Sequence, residues 1–301
     1  LRMRAHPLPE ARYYADLMLR ELRKVIPSFL ERVDREDRGG VWSEYLGDTR
    51  ENIAELVGAL FPEGTVADPA PLVRLVDFDP DAEVKMVASM MYASSHLPEE
   101  QLERRVAAMS SDDRMAVVNA YVGDRANRRH KPGRALERPF YRFDVLVDYG
   151  AFRDLQRHRM MTIDWQQLSP YHGYTRPELI DAAGMTDRFD DAMQRSADLH
   201  DALMEDFPDQ APYAVSLAYK IRFNMNLNAR EAMHLIELRT TPAGHPSYRQ
   251  VGQEMHRLIA EEAGHHAVAE MMTFVDHSPE TDLERLQSER LAESRRAQNL
   301  S

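Results

Sequence analysis

Three residues with cationic or hydrogen-bonding side chains stand together in the middle of the chain, in the order Arg157-His158-Arg159. Each guanidinium offers planar donors and keeps its charge at physiological pH, which suits the oxygens of a pyrophosphate. The imidazole between them can donate to a carbonyl or stack on a ring. Basic residues are also favoured at the last turn of an ordinary solvated helix. The triplet alone therefore leaves an anion-binding site and a helix end open.

A second run, Asn228-Ala229-Arg230-Glu231 continuing through His234 to Arg239, carries similar groups on one predicted helix. At about 100° per residue, Arg230 and Arg239 lie on nearly opposite faces, whereas His234 shares a face with Arg230. One pocket within one subunit could hardly use both arginines. Asn228 and Glu231 would also make an N-cap and a capping box in a helix without any function.

These runs resemble the two signature blocks of the flavin-dependent thymidylate synthases. In that family the triplet grips FAD and is followed by a hydroxyl residue and a Leu-Ser pair, here Thr162 and Leu168-Ser169. In the second block an Asn and an Arg help to hold the flavin, and the last Arg orients the uracil ring of dUMP. The resemblance implies that the flavin is bound by His130, Arg157, His158, Arg159, Asn228, Arg230 and His234, and that Arg239 and Ser169 are the catalytic, nucleotide-contacting residues.

A weaker match, Val73 to Tyr92, resembles the opening strand and helix of the family, and all the matched segments occur in family order. The implied reaction is reductive methylation at uracil C5, in which NADPH reduces FAD and methylenetetrahydrofolate supplies the one-carbon unit. Its product is dTMP. The family builds its sites between subunits, so the resemblance also implies either a homo-oligomer, which in the family is a tetramer, or a pairing with a homologous repeat.

Several positions depart from the family pattern. The usual His-x-Ser-x-x-Glu-His loop is represented only by His130 and Glu137, the Arg expected two residues after the Leu-Ser pair is Tyr171, and the basic residue expected near Pro212 is missing. A nucleotide phosphate would therefore lose charge-assisted hydrogen bonds. The candidates to compensate are His172, Arg222 or residues of another repeat.

The departures keep two alternatives open: a degenerate, non-catalytic repeat that supports an active partner domain, and a flavin enzyme acting on another pyrimidine nucleotide.

The chain begins with Leu rather than Met, which favours a processed or truncated product. Placing Leu1-Arg2 over Leu238-Arg239, an offset of 237, also superimposes Met18 on Met255. If this similarity is real, residues 1–33 are the tail of an earlier repeat.

A metal site is the rival interpretation of the acidic residues. Glu231 with His234 and Glu262 with His265 are two Glu-x-x-His pairs on predicted helices, the arrangement that di-iron four-helix bundles use. Such a bundle requires an all-α fold, and the strand predicted over Phe140 to Asp148 argues against it. The prediction is therefore that no metal is bound and that these residues are caps and solvated-face groups.

The elements that must position these residues indicate an α+β fold with a central, mostly antiparallel sheet flanked by long helices. Over Phe140 to Asp148 apolar and polar residues alternate, which is typical of a half-buried strand. The predicted organisation is a helix over 1–33, a linker with a short helix over 34–71, the enzyme-like domain over 72–278 and a charged tail over 279–301. Within the domain, long helices are predicted over 188–206, 229–239 and 246–275, and the segment from the triplet to Tyr174 is predicted to be loop-like. Before the domain, residues 9–33 are predicted to form one amphipathic helix, and Asp48 is predicted to cap a short helix that ends near Leu60. The last twenty residues are predicted to be frayed or disordered.

Composition bounds the function further. The chain has 301 residues, 43% of them apolar, which allows a sizeable core. The formal charge of −12 argues against polynucleotide binding. The chain has no cysteine, which excludes the thiol-dependent kind of thymidylate synthase and fits a reducing, cytoplasmic compartment. No run approaches the roughly 20 apolar residues that span a bilayer, so no membrane insertion is expected.

Overall fold

The computed structural model describes residues 1–61, 65–279 and 284–299. The helices are α1 (Pro9–Arg23), α2 (Pro27–Asp34), α3 (Gly40–Leu60), α4 (Ala82–Tyr92), α5 (Glu99–Ala107), α6 (Ser111–Val122), α7 (Tyr149–Leu155), α8 (Glu178–Ala182), α9 (Thr186–Asp206), α10 (Ala229–Arg239), α11 (Pro246–Glu261), α12 (His266–Glu270) and α13 (Glu284–Asn299). The strands are β1 (Val73–Phe78), β2 (Phe140–Asp148), β3 (Met161–Trp165) and β4 (Lys220–Asn228).

The chain divides into two compact units. One comprises Leu1–Pro69 with Asp198–Ala214, and the other comprises Ala70–Ala197 with Val215–Ser301. The second unit contains all four of the strands above and every candidate site residue. The domain boundaries predicted after residues 33, 71 and 278 stay predictions.

The four strands of the second unit form one antiparallel sheet in the order β1-β2-β4-β3. The central strands β2 and β4 pair along their whole length, from Phe140 opposite Asn228 to Asp148 opposite Lys220. Helices α4, α7, α10 and α11 contribute buried residues to the core that also contains the sheet. The predicted α+β fold with a central, mostly antiparallel sheet is confirmed.

Alternation explains the register of the central strands. Buried β2 residues lie directly opposite buried β4 residues, as in the pairs Phe143 with Met225 and Val145 with Phe223. Burying each such side chain contributes about 1.5–3 kcal/mol. A slip of one residue would bring Arg222 or Asn224 to the core face instead, so the apolar pattern selects this register.

Two strands were not predicted. The segment that follows the Arg-His-Arg triplet was predicted to be loop-like, yet β3 lies there and pairs with β4. The strand β4 itself was missed, although Ile221, Phe223, Met225 and Leu227 alternate with polar residues as clearly as the residues of β2 do. That period of two was the available signal.

Three helix predictions were also wrong. The helix predicted over 246–275 is two helices, α11 and α12, because Gly264 takes a φ of +70° and ends the helical path. The helix predicted over 9–33 breaks before Pro27, which starts α2. Asp48 lies inside α3 rather than capping a short helix, and the end of the chain, predicted to be frayed, contains α13.

The first unit is helical in its described part, with α1 to α3 and a 3-10 turn at Ala211–Ala214. Helices α1 and α11 each begin at a proline, Pro9 and Pro246, which are related by the same offset of 237 that aligns Leu1-Arg2 with Leu238-Arg239. This coincidence is consistent with the internal repeat, which stays a hypothesis. None of the helices in the described residues is long and apolar enough to cross a membrane.

Candidate active site

Helix α10 begins directly at the end of β4. The side chain of Asn228, the last strand residue, accepts a hydrogen bond from the Glu231 amide at 2.9 Å and so caps the helix. The predicted N-cap is confirmed. The capping leaves the Glu231 carboxylate itself to make other contacts.

His158 is the buried member of the Arg-His-Arg triplet, and it packs against α10. Its Nδ1 lies 3.0 Å from Oε1 of Glu231, and its ring centroid lies 5.2 Å from that of His234. Glu231 and His234 are one helical turn apart, so they share a face of α10. The structure therefore joins residues of the two signature blocks within a single chain.

Arg239, at the C-terminal end of α10, contacts the same histidine. Its Nε donates to His158 Nε2 at 3.1 Å, and one Nη donates to the backbone carbonyl of Asp154 at 2.6 Å. The other Nη lies 3.6 Å from the Asp154 carboxylate, and the guanidinium carbon lies 5.2 Å from the centroid of the Tyr248 ring. The guanidinium is thus held by a ring nitrogen, a carbonyl, a carboxylate and an aromatic face.

Arg230 is directed elsewhere, as helix geometry predicted. Its Nε donates to the carbonyl of Pro132 at 3.2 Å and its Nη1 lies 3.2 Å from Oε1 of Glu137. Glu137 is also paired with Arg134. The two arginines of α10 therefore contact separate groups of the chain, and Arg230 is not part of the His158 cluster.

Two cationic side chains, Lys131 and Arg128, act on the imidazole of His234. Burial lowers the pKa of its imidazole, and the charges of Lys131 and Arg128 lower it further, while Glu231 acts in the opposite direction. His234 is therefore neutral near pH 7, and the loop before β2 brings cations toward it. These two cations could pair with an anion at this end of the site.

The loop that carries these cations is held by Arg125, which was not singled out in the sequence. Its guanidinium makes a two-pronged contact with the Glu237 carboxylate at 2.6 and 2.7 Å, and both side chains are buried. It also donates to the carbonyls of Met271 and His130, each at 2.8 Å. Arg125 thus ties the loop to α10.

The remaining predicted residues lie apart from this cluster. Arg157 is 73% exposed and 3.5 Å from the Asp154 carboxylate, and Arg159 is exposed. His130 is exposed and accepts from the Ala126 amide at 3.3 Å, while Ser169 is half-buried after β3. Within the described residues, the cluster joins His158, His234 and Arg239 and leaves out Arg157, Arg159, Arg230, His130 and Ser169.

The residues proposed to compensate for the missing arginines lie near each other. Arg222 is 3.0 Å from Asp144, and its charge, after burial, lowers the pKa of His172. His172 bonds to the amide oxygen of Gln166 at 3.1 Å. The charge of Arg222 is therefore partly neutralised by Asp144.

One group in the described part of the chain has the composition of a metal site. Ligand atoms of His158, Glu231 and His234 lie within 4.8 Å of one another. A cation there would compete with Arg239 for His158 and would lie near the charges of Lys131 and Arg128. The repulsion from these charges disfavours a cation at this position. The absence of a resident metal stays a prediction.

Sequence reasoning missed Glu231, Asp154 and Tyr248 as site residues. The sequence does carry a signal for Glu231, although its position also suits a helix cap or half of a metal-binding pair. At about 100° per residue, Glu231 lies between His234 and Arg239 around the axis of α10. A side chain that contacts both His234 and Arg239 must therefore lie over Glu231. No comparable signal marks Asp154, whose contact with Arg239 depends on the chain path.

Comparison with known proteins places the chain in a family. Residues 74–275, about two thirds of the chain, match the family model described as thymidylate synthase complementing protein. A UPF0159 protein of Chlamydia pneumoniae is 36% identical over 292 residues, covering 96% of this chain and 54% of the relative. The chain therefore spans about half the length of that relative.

A flavin-dependent thymidylate synthase of Geobacter sulfurreducens is 27% identical over 191 residues, covering 60% of this chain and 78% of the relative. Among solved structures, the UMP/dUMP methylase PolB of Streptomyces cacaoi, bound with 5-Br dUMP, superimposes with a TM-score of 0.51 at 16% identity. That match covers 67% of this chain and 94% of the methylase, and it shows the fold alone. With the family match over residues 74–275, this chain belongs to the flavin-dependent thymidylate synthase family.

Proposed function

We propose that the protein is a FAD-dependent enzyme of the thymidylate synthase type that methylates dUMP, with NADPH as reductant and methylenetetrahydrofolate as one-carbon donor. The observation that carries the proposal is the restrained guanidinium of Arg239, at the position where the family orients the uracil ring. Hydrogen bonds to His158 and Asp154 use two of its five N–H groups. The other Nη lies 3.6 Å from the Asp154 carboxylate, so only the N–H groups not directed at Asp154 or His158 can donate to carbonyl or phosphate oxygens of a ligand.

Flavin binding follows from the donor chemistry of the chain. Arg157 and Arg159 present exposed guanidinium groups that suit pyrophosphate oxygens. The Oδ1 atom of Asn228 is committed to the helix cap, but its amide NH₂ remains a donor. When bound, FAD supplies the redox step, and these side chains bind and orient it.

The separate contacts of the two arginines on α10 support an oligomer. Arg230 and Arg239 contact separate groups within one chain, so a single ligand pocket that used both would need a second subunit or a homologous repeat. We therefore propose that the site is completed by another copy of this fold. A homo-oligomer would supply the second copy. We also propose that the protein acts in the cytoplasm.

One observation favours an alternative function. Tyr171 occupies the place of a nucleotide-binding arginine in the family pattern, and Arg222, one of the residues proposed to compensate, is paired with Asp144. A weakened phosphate site fits a flavin enzyme acting on another pyrimidine nucleotide, or a repeat that only supports an active partner.

The test starts with the absorbance spectrum of the purified protein and its NADPH oxidation with and without dUMP and methylenetetrahydrofolate. We expect bound flavin and dUMP-dependent oxidation. Arg239→Met should weaken dUMP binding roughly 10- to 100-fold, because a hydrogen bond to a charged group contributes about 1.5–3 kcal/mol. Arg105→Met, which removes an exposed guanidinium from α5, is the matched control.

The three functions predict different results. A colourless protein that takes up no added FAD would contradict both enzyme proposals. A flavoprotein whose NADPH oxidation responds to another pyrimidine nucleotide but not to dUMP would support the second enzyme. Equal dUMP affinity in wild type and Arg239→Met would remove Arg239 from the nucleotide site.

A further inference from the structure

We infer that Glu231 is a positioning residue, which sets the proton position on His158 so that this histidine can hold Arg239 in place for a ligand. The inference rests on the proposed function only for the identity of that ligand. Its physical basis is the chain of contacts from Glu231 Oε1 to His158 Nδ1 at 3.0 Å and from His158 Nε2 to Arg239 Nε at 3.1 Å.

The direction of each hydrogen bond follows from the chemistry of the three groups. A guanidinium only donates, so His158 Nε2 must be the acceptor of the bond from Arg239. A neutral imidazole that accepts at Nε2 carries its proton on Nδ1. That proton points at the Glu231 carboxylate, which only accepts when ionised.

The alternative tautomer is disfavoured at both ends. A proton on Nε2 would face the Nε–H of Arg239 across 3.1 Å, donor against donor. At the same time the Nδ1 lone pair would face the Glu231 carboxylate across 3.0 Å, acceptor against acceptor. His158 and Glu231 are both buried, so water cannot readily replace either lost bond. The carboxylate therefore selects the tautomer that Arg239 needs.

The bond to His158 helps to hold Arg239 because the other contacts of the guanidinium leave Nε without a partner. The Asp154 carbonyl accepts from one Nη, the Asp154 carboxylate lies 3.6 Å from the other, and Tyr248 lies against the guanidinium, but none of these groups contacts Nε. His158 supplies that contact and completes the restraint. Arg157, by contrast, is exposed and must lose more side-chain entropy when it binds a ligand. A restrained arginine binds with less ordering cost.

A purely structural role for Glu231 would leave the tautomer unchanged, so NMR of the whole protein labelled with ¹⁵N-histidine tests the inference directly. Wild type should show His158 protonated at Nδ1, and Glu231→Gln, which keeps an acceptor oxygen, should match it. Glu231→Ala should move His158 toward the Nε2-protonated form. The His158→Gln variant assigns the signal, and Glu262→Ala, an exposed acid of the other Glu-x-x-His pair, is the control.

Binding of dUMP to the FAD-loaded protein provides the second measurement. We expect Glu231→Ala to weaken dUMP binding about tenfold, the size of one hydrogen bond, with Glu231→Gln close to wild type. An unchanged affinity in Glu231→Ala would overturn the inference, as would a wild-type His158 protonated at Nε2 or a tautomer insensitive to Glu231→Ala. If wild type bound no dUMP, the proposed function would fail, while the tautomer measurement would still decide the role of Glu231.

Discussion

Glu231 and His234 lie in the first turns of α10, whereas Glu262 and His265 flank the break between α11 and α12, although the two pairs have the same spacing in the sequence. The first pair borders a cluster of charged groups. In the second pair Glu262 is exposed, and His265 is buried with its Nδ1 2.8 Å from the hydroxyl of Tyr141. The rings of Phe78 and Tyr141 lie edge-on to it.

The difference shows that a spacing of three has chemical meaning only inside a continuous helix. In α10 the helix continues past His234, so Glu231 and His234 share a face. After Glu262 the backbone turns at Gly264, with a φ of +70°, and sends His265 into the core. His265 is therefore a core residue, and His234 borders the site.

Removing the buried guanidinium of Arg125, which pairs with Glu237 on α10, should give the largest change in the free energy of unfolding. Arg125→Met leaves the buried Glu237 carboxylate without its partner, and we expect the free energy of unfolding to fall by about 3–5 kcal/mol, measured by urea denaturation. Arg104→Met, which removes an exposed pair with Glu100, should change it by less than about 1 kcal/mol. Equal effects of the two variants would show that the buried pair does not anchor the loop.

The break after Glu262 can be tested at the glycine that makes it. Gly264→Ala must place a β-carbon at a φ of +70°, which costs about 1–2 kcal/mol although the space around that carbon is open. Gly58→Ala, inside α3 and equally open, should instead raise stability by roughly 0.5–1 kcal/mol. If both substitutions had the same sign in urea denaturation, backbone conformation would not be the reason for the break.

Acid sensitivity should separate the buried histidine of the second pair from the rest of the protein. Burial lowers the pKa of His265, so the unfolded chain binds the proton more readily than the folded one. The stability from neutral His265 is therefore present above its ordinary pKa, near 6.5, and is lost as the pH falls below it.

The variant for this test removes both bonded partners, because Tyr141 would otherwise keep a buried hydroxyl without its bond to His265. We expect Tyr141→Phe/His265→Leu to lose less free energy of unfolding than wild type between pH 7 and pH 5. Chemical denaturation at each pH measures this, and His130→Gln, at an exposed site, should keep the wild-type slope. A steeper slope in the double variant would contradict the sign.

Zinc should produce the smallest effect. The first pair, with His158, has the ligand atoms for a divalent cation, but Arg239 bonds to His158 and the charges of Lys131 and Arg128 lie near His234. We expect equimolar Zn²⁺ to leave the Tm unchanged. A rise in Tm that disappears in His234→Gln would show that the group binds metal and would overturn the anion-site interpretation.

Much of the fold could be predicted because the sequence patterns that indicate strands and helices are local. Strand β2 was predicted with its observed bounds. Apolar and polar residues alternate along its length, and this pattern can be recognised without knowing any other part of the chain. Strand β4 carries the same alternation and was overlooked. Strand β3 is short and largely exposed, so its sequence has little periodicity, and its pairing with β4 is what makes it a strand.

The sequence by itself determined the family, the α+β class, the cap at Asn228 and the opposed directions of Arg230 and Arg239, because signature residues, apolar periods and helix geometry depend on short-range order. Only the tertiary structure decided that His158 meets Glu231 and Arg239, which are 73 and 81 residues away along the chain. Such contacts depend on how α7, the turn after it and α10 pack around one core, and no local pattern encodes that packing.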